Sequence, residues 1–167
     1  MAVWDLSGEI VVADRNGLKA QSAVVDLQLI NSVVKGKHIS PVDLHAELQD
    51  SLISLQARCD DTLAAFTLDA TLTTPPTAFT LPPSGQAYYT ADLQLATLQP
   101  QAFGLVNKGL DRVSTHLTAS LSGNTLDSIS GNIRARSTKL ALQKGIANIG
   151  DISLDVNGEG AHKRIRI

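Results

Sequence analysis

The run Ala64-Ala65-Phe66-Thr67-Leu68-Asp69-Ala70-Thr71-Leu72-Thr73 decides how this chain folds. Phe66, Leu68, Ala70 and Leu72 alternate with Thr67, Asp69, Thr71 and Thr73. Successive side chains of a strand point to opposite faces, so this segment carries one apolar and one wet face. The same period recurs outward in both directions. Ala23, Val25, Leu27 and Leu29 alternate with Asp26 and Gln28, and Trp4, Leu6, Ile10 and Val12 oppose Asp5, Ser7 and Glu9. Downstream, Ala87, Tyr89, Ala91, Leu93 and Leu95 face away from Thr90, Asp92 and Gln94. Val113, Leu117, Ala119 and Leu121 do so from Ser114, His116, Thr118 and Ser120. Gly131, Ile133 and Ala135, then Ile152, Leu154 and Val156, complete the series. Repeated alternation of this kind predicts an all-β fold of antiparallel strands with one solvated face.

Composition narrows the function. The chain has 167 residues, of which 43% are hydrophobic and 18% charged, and its net charge is -2. That apolar share excludes a disordered tail, and the balanced charge argues against a nucleic-acid partner, which needs a basic face. Aromatic residues make up only 4%, so few rings are available to anchor a pocket. Cys59 is the single cysteine, which forbids an internal disulfide. There is no run of about 18 uncharged apolar residues to span a membrane as a helix. No signal peptide is evident either, and the alternation at both ends reads as a slice of a longer protein.

Three stretches depart from simple alternation. Ser40-Pro41-Val42-Asp43 has the residues of a helix start, with Leu44, Leu48, Leu52 and Leu55 following at near-helical spacing. The same residues also read as two strands, Val42 to Leu48 and Ile53 to Cys59, with a turn at Asp50-Ser51, and both readings stand. Gln101 to Val113 is expected to form a short helix, with Phe103, Val106 and Leu110 on one side. Pro75-Pro76 and Pro82-Pro83 mark 74–86 as a loop, and Asp14-Arg15-Asn16-Gly17 as a turn.

No catalytic or metal-binding constellation emerges, and the chain is expected not to be an enzyme and to need no cofactor or metal. His38, His45, His116 and His162 are scattered, without a second His or Cys at ligand spacing. Asp60-Asp61 reads as a turn, because aspartate bonds its own backbone there. Gly158-Glu159-Gly160 reads as a hairpin tip, Lys163, Arg164 and Arg166 as a solvated strand face, and Cys59 as a buried thiol. The apolar faces themselves are either the closed core of a sandwich or the lining of an open groove.

Two segments echo one another. Leu6-Ser7-Gly8-Glu9-Ile10 returns as Ile129-Ser130-Gly131-Asn132-Ile133, which suggests repeat units over 1–73 and 87–167 of one β-rich fragment. The run Gly123-Asn124-Thr125-Leu126-Asp127-Ser128-Ile129-Ser130-Gly131-Asn132-Ile133 resembles the recurring G-x-x-L-D-x-L-x-G-x-I segments of TamB-type proteins. Gly150 to Val156 is similar to the strand that follows such segments, and Val42 to Leu72 to another stretch of the same repeats.

The resemblance implies an elongated, curved antiparallel sheet folded into a taco-like apolar groove or an open sandwich, with one or two short helices. TamB-type proteins belong to the AsmA-like superfamily of inter-membrane bridges. Membership implies a periplasmic segment of an inner-membrane-anchored protein that shields and conducts phospholipids toward the outer membrane. It also implies help in outer-membrane protein assembly, with an Omp85-type outer-membrane barrel as partner. In that reading the acyl chains contact Phe66, Leu68, Leu72, Leu93, Leu95, Leu117, Leu121, Ile152 and Leu154. The alternatives are a protein-binding β-module that pairs with the barrel by a strand edge, or a structural solenoid or adhesin stalk. Exposed edges and apolar ends also lead us to expect self-association.

Overall fold

A computed structural model describes residues 3–12, 20–30, 32–34, 36–49, 51–73, 86–106, 109–124, 128–159 and 162–166; side chains before residue 23 and after residue 157 lie outside this description. Four sequence expectations therefore fall wholly or partly outside it: the turn at 14–17, most of the Pro-rich loop, the tip around Gly160, and the faces presented by Trp4, Lys163, Arg164 and Arg166.

The chain is a meander of strands: β1 (Val3–Val12), β2 (Ala20–Ile30), β3 (Ser32–Val34), β4 (Lys37–Ile39), β5 (Val42–Gln49), β6 (Leu52–Asp60), β7 (Ala64–Thr73) and β8 (Tyr88–Leu98). One helical turn, α1 (Pro100–Phe103), precedes β9 (Leu110–Ser122), β10 (Ser130–Leu142), β11 (Gly145–Glu159) and β12 (His162–Arg166). Ten of these strands form one sheet in the order β1-β2-β5-β6-β7-β8-β9-β10-β11-β12, while β3 and β4 make a separate two-stranded ribbon. Every described pairing is antiparallel. The sheet is curved and does not close, with β1 and β12 as its edges.

One open reading is decided and one helical expectation is corrected. Val42–Gln49 and Leu52–Asp60 are strands, β5 and β6, so the two-strand reading of this stretch holds and the helical one does not. The backbone N–H of Ser40 donates to Asp61 Oδ2 at 2.8 Å, so the expected cap is a tie to another turn. The helix expected from Gln101 to Val113 is one turn long, because Gly104 takes the left-handed conformation (φ 70°) and ends it. Leu110 and Val113 belong to β9 instead.

The glycines of the repeated motif have a steric reason. Gly131 lies at φ 144°, and a Cβ there would stand 2.1 Å from the Ser120 carbonyl oxygen and 2.8 Å from Leu121 Cα. Gly123, at φ 141°, would meet Ser128 O at 2.7 Å. Register shifts let the long strands bend. One falls between Leu95 and Leu98, and two more around Arg136–Lys139. Ser137 there has φ 53°, and its N–H is held by Asp151 Oδ1 at 3.1 Å.

Gly131→Ala is expected to destabilise the fold by about 2–5 kcal/mol, combining overpacking against backbone with positive-φ strain. Gly36→Ala, at φ 78° with open space around its Cβ, should cost only about 1 kcal/mol. Urea midpoints of the two variants check the difference.

Candidate functional site: an open apolar sheet face

Antiparallel register places like residues directly opposite one another, and here it does so across the whole sheet. Leu27, Leu44, Ala57, Leu68, Leu93, Leu117, Ala135 and Ile152 are successive partners from β2 to β11. A second row runs Leu48, Ile53, Leu72, Tyr89 and Leu121. Between them lies a row of smaller residues that includes Ala70, Ala91 and Ala119, continuing to Ile133 and Leu154. Directly opposed residues share a face, so the three rows form one apolar surface.

All nine residues expected to line a groove stand on this surface. Phe66 pairs with Leu95, Leu68 with Leu93 and then Leu117, and Leu72 reaches Leu121 through Tyr89. Ile152 and Leu154 join through Ala135 and Ile133 of β10. The structure adds neighbours that the sequence reading left out, among them Leu44, Leu55 and Ile133. Their signal was the same alternation, carried by strands whose identity was unsettled or whose apolar residues were few.

This surface is not the core of a closed sandwich. Among the described residues no side chain is fully buried, and the buried apolar ones are the small Cys59, Ala64, Ala87 and Ala102. Phe66, Leu68, Leu93 and Leu117 are half-buried. A closed core of this size would bury most of its leucines. Towards β11 the face opens further, with Ile152 39% exposed.

The ends of the strands are tied by polar contacts. At one end, Asp61 accepts the N–H groups of Leu63 (2.7 Å) and Ser40 (2.8 Å), while Gln99 N donates to Leu63 O at 2.8 Å. Pro100 and Ala102 of α1 are buried close by in sequence. At the other end Ala87 N donates to Asn124 Oδ1 (2.8 Å), and Gly123 N to Ala87 O (2.9 Å). Near the bend the apolar face ends in a hydroxyl pair, Thr115 Oγ1 and Thr138 Oγ1, 2.9 Å apart.

The opposite face is mostly polar, with Leu52 and Tyr88 as exposed exceptions. His45 Nδ1 lies 2.6 Å from Asp26 Oδ1, and His116 Nε2 lies 2.8 Å from Asp92 Oδ1; a carboxylate only accepts, so each ring nitrogen donates. Gln28 Nε2 donates to Asp43 Oδ1 at 2.6 Å. A shallow cavity of about 490 Å³ lies on this side, lined by Asp26, Asp43, His45, Gln56, Arg58 and Asp69 among others. Leu27, Leu44, Ala57 and Leu68 of the first row also line it, between the two rows of polar residues. Among the described residues no group of three His, Cys, Asp or Glu could hold a metal.

Cys59 is 3% exposed. Burial pushes its thiol pKa up, aided by the charges of Asp61, Asp60 and Asp43, so the thiol stays protonated and unreactive.

Set against protein-family models, curated proteins and solved structures, the chain matches none of them.

The two backbone N–H bonds hold the Asp61 carboxyl below its ordinary value of 3.8. A depressed folded-state pKa contributes stability that is complete above the ordinary carboxylate value and is lost as pH falls through the lower, folded one. Asp61→Ala should cost about 1 kcal/mol at neutral pH, since the group is half-exposed and screened. The gap between native and variant should narrow as pH drops below about 4, read by urea titrations at stepped pH.

Proposed function

We propose that this chain is a non-enzymatic surface for acyl chains, one segment of a TamB-type periplasmic bridge that shields phospholipids on their way to the outer membrane. One observation carries the reading: an apolar face continuous over at least eight paired strands is left uncovered by the rest of the described chain.

Surface area supports it as well. The chain exposes 11332 Å². A compact protein of 17.7 kDa exposes about 7,900 Å², about 3,400 Å² less, a difference that belongs to the whole chain and not to the apolar face alone. Covering apolar surface is worth roughly 25 cal/mol per Å² and about 0.8 kcal/mol per methylene, so a hydrocarbon chain gains strongly by lying there. The lining suits movement rather than capture. Leu, Ile, Ala and Val offer no directional contact, and a cargo shifted by one strand meets nearly the same wall. The resemblance in the motif Gly123 to Ile133, with its two sterically required glycines, points to the same family and hence to the periplasm and an inner-membrane anchor.

The reading is tested with a photo-crosslinking residue at Leu68 or Leu95 in cells, with Thr67 and Gln94 as controls on the polar face. Lipid adducts are expected at the first pair only. Equal labelling of both faces, or of neither, overturns the reading. Leu68→Asp should leave the chain folded, because water reaches an open face. Its stability should fall by about 1–2 kcal/mol, where a closed core would lose several more for the unpaired charge.

A further inference from the structure

We propose that, in the absence of acyl chains, the apolar face is covered by the same face of a second copy, giving a closed two-fold dimer that lipid dissolves. The inference rests on the open apolar face of the proposed function but names a different occupant.

Area makes the first argument. The eight strands from β2 to β11 that share the rows, at about 4.8 Å spacing and each presenting about nine residues at about 3.3 Å, give a face near 38 by 30 Å, or about 1,100 Å² per copy. Two such faces amount to about 2,300 Å². A stable complex needs about 1,600 Å² in total, and permanent homodimers bury 2,000 Å² or more. The face is large enough for that class and contains no charged residue among its described rows, so nothing must be desolvated at high cost.

Shape makes the second. The rows are not equally tall: Leu68-Leu93-Leu117 is a ridge, and Ala70-Ala91-Ala119 beside it is a furrow of the same length and spacing. A two-fold axis running across the strands, midway between these rows, lays each copy's ridge in the other's furrow. It places Leu93 of one copy over Ala91 of its mate, and Ala91 under the mate's Leu93. This self-complementarity is what an isologous interface requires. Sheets packed in this way sit about 10 Å apart, a distance that leucine against alanine fills. Pairing through the strand edges would differ in kind, because one edge joins another without closing and yields open-ended chains of copies.

The test uses the full chain, stripped of lipid, in sedimentation equilibrium across a hundredfold concentration range. A monomer–dimer equilibrium without larger species is expected. Ala91→Phe fills the furrow and should raise the dimer dissociation constant at least tenfold, with far-UV circular dichroism unchanged. A photo-crosslinking residue at Leu93 should give a covalent dimer, and one at Gln94, on the polar face, none. A short-chain phospholipid below its micelle concentration should convert dimer to monomer. A monomer at every concentration, a ladder of larger species, covalent dimer from both positions, or a dimer that persists with lipid bound each overturns the proposal. The two readings part cleanly. Lipid adducts at Leu68 on a chain that never dimerises sink this one alone, while a face-to-face dimer without lipid adducts sinks the lipid reading alone.

Discussion

In-phase registration of antiparallel strands is the constraint on which the rest of this structure depends. Each strand alternates on its own, but a continuous apolar face arises only because neighbours pair residue for residue: Leu44 with Ala57, Ala57 with Leu68, Leu68 with Leu93. A one-residue slip in any strand would turn its leucines to the wet side and break every row at once. The irregularities respect this rule. Shifts at Ala65/Phe66, Leu95/Leu98 and Arg136/Lys139 all fall toward the α1 end of the strands, where they curve the sheet without cutting the rows of Leu68, Ala70 and Leu72. Gly131 serves the same end, letting β10 come close to β9 where a methyl group would strike the Ser120 carbonyl.

A single-layer sheet also explains the composition. Large rings stabilise proteins when two layers close over them, and here no second layer among the described residues covers the face. The chain instead carries many aliphatic residues that pack sideways on their cross-strand partners, each pair adding a fraction of a kcal/mol. The polar face is built on the same unit. Thr71 and Thr90 share a hydrogen bond at 2.6 Å. Asp69 and Asp92 stand directly opposite, a repulsive placement. His116 offsets it by donating to Asp92 from the next strand, as His45 does for Asp26. Histidines that are scattered in the sequence therefore tie neighbouring strands together.

How far the sequence could be read depended on whether a segment carried one period or two. In β7 to β9 and in β11 alternation had no rival, and fold class, faces and the placing of the nine proposed lining positions on a common surface followed from it. Between 40 and 56 two periods overlapped. Leu44, Leu48, Leu52 and Leu55 fit helical spacing, yet pairing of β6 with β5 puts Leu52 on the polar side, 41% exposed, and Leu55 on the apolar side. Only pairing with β2 and β7, a long-range fact, decides between the readings. Between 101 and 113 the fault was different, since Gly104 was a local stop signal and the spacing of Phe103, Val106 and Leu110 outweighed it. The neighbouring ridge and furrow were out of reach, because they depend on register between strands, which no single strand encodes.

The furrow determines what the face can accept. Were Ala70, Ala91 and Ala119 leucines, the rows would level into a uniform apolar plane, able to adsorb hydrocarbon but offering no fit to a second ridge. With alanines there, the face is corrugated across the strands, parallel to the long axis of the sheet. A flexible hydrocarbon chain and a rigid leucine ridge can both lie in such a corrugation, and both are held by area alone, without a directional bond. Two occupants bound by the same non-directional force to the same surface must exclude one another. Their balance is then set by concentration and by the ordering each requires, and the ridge, already fixed by its own sheet, loses less entropy on docking than a free chain does.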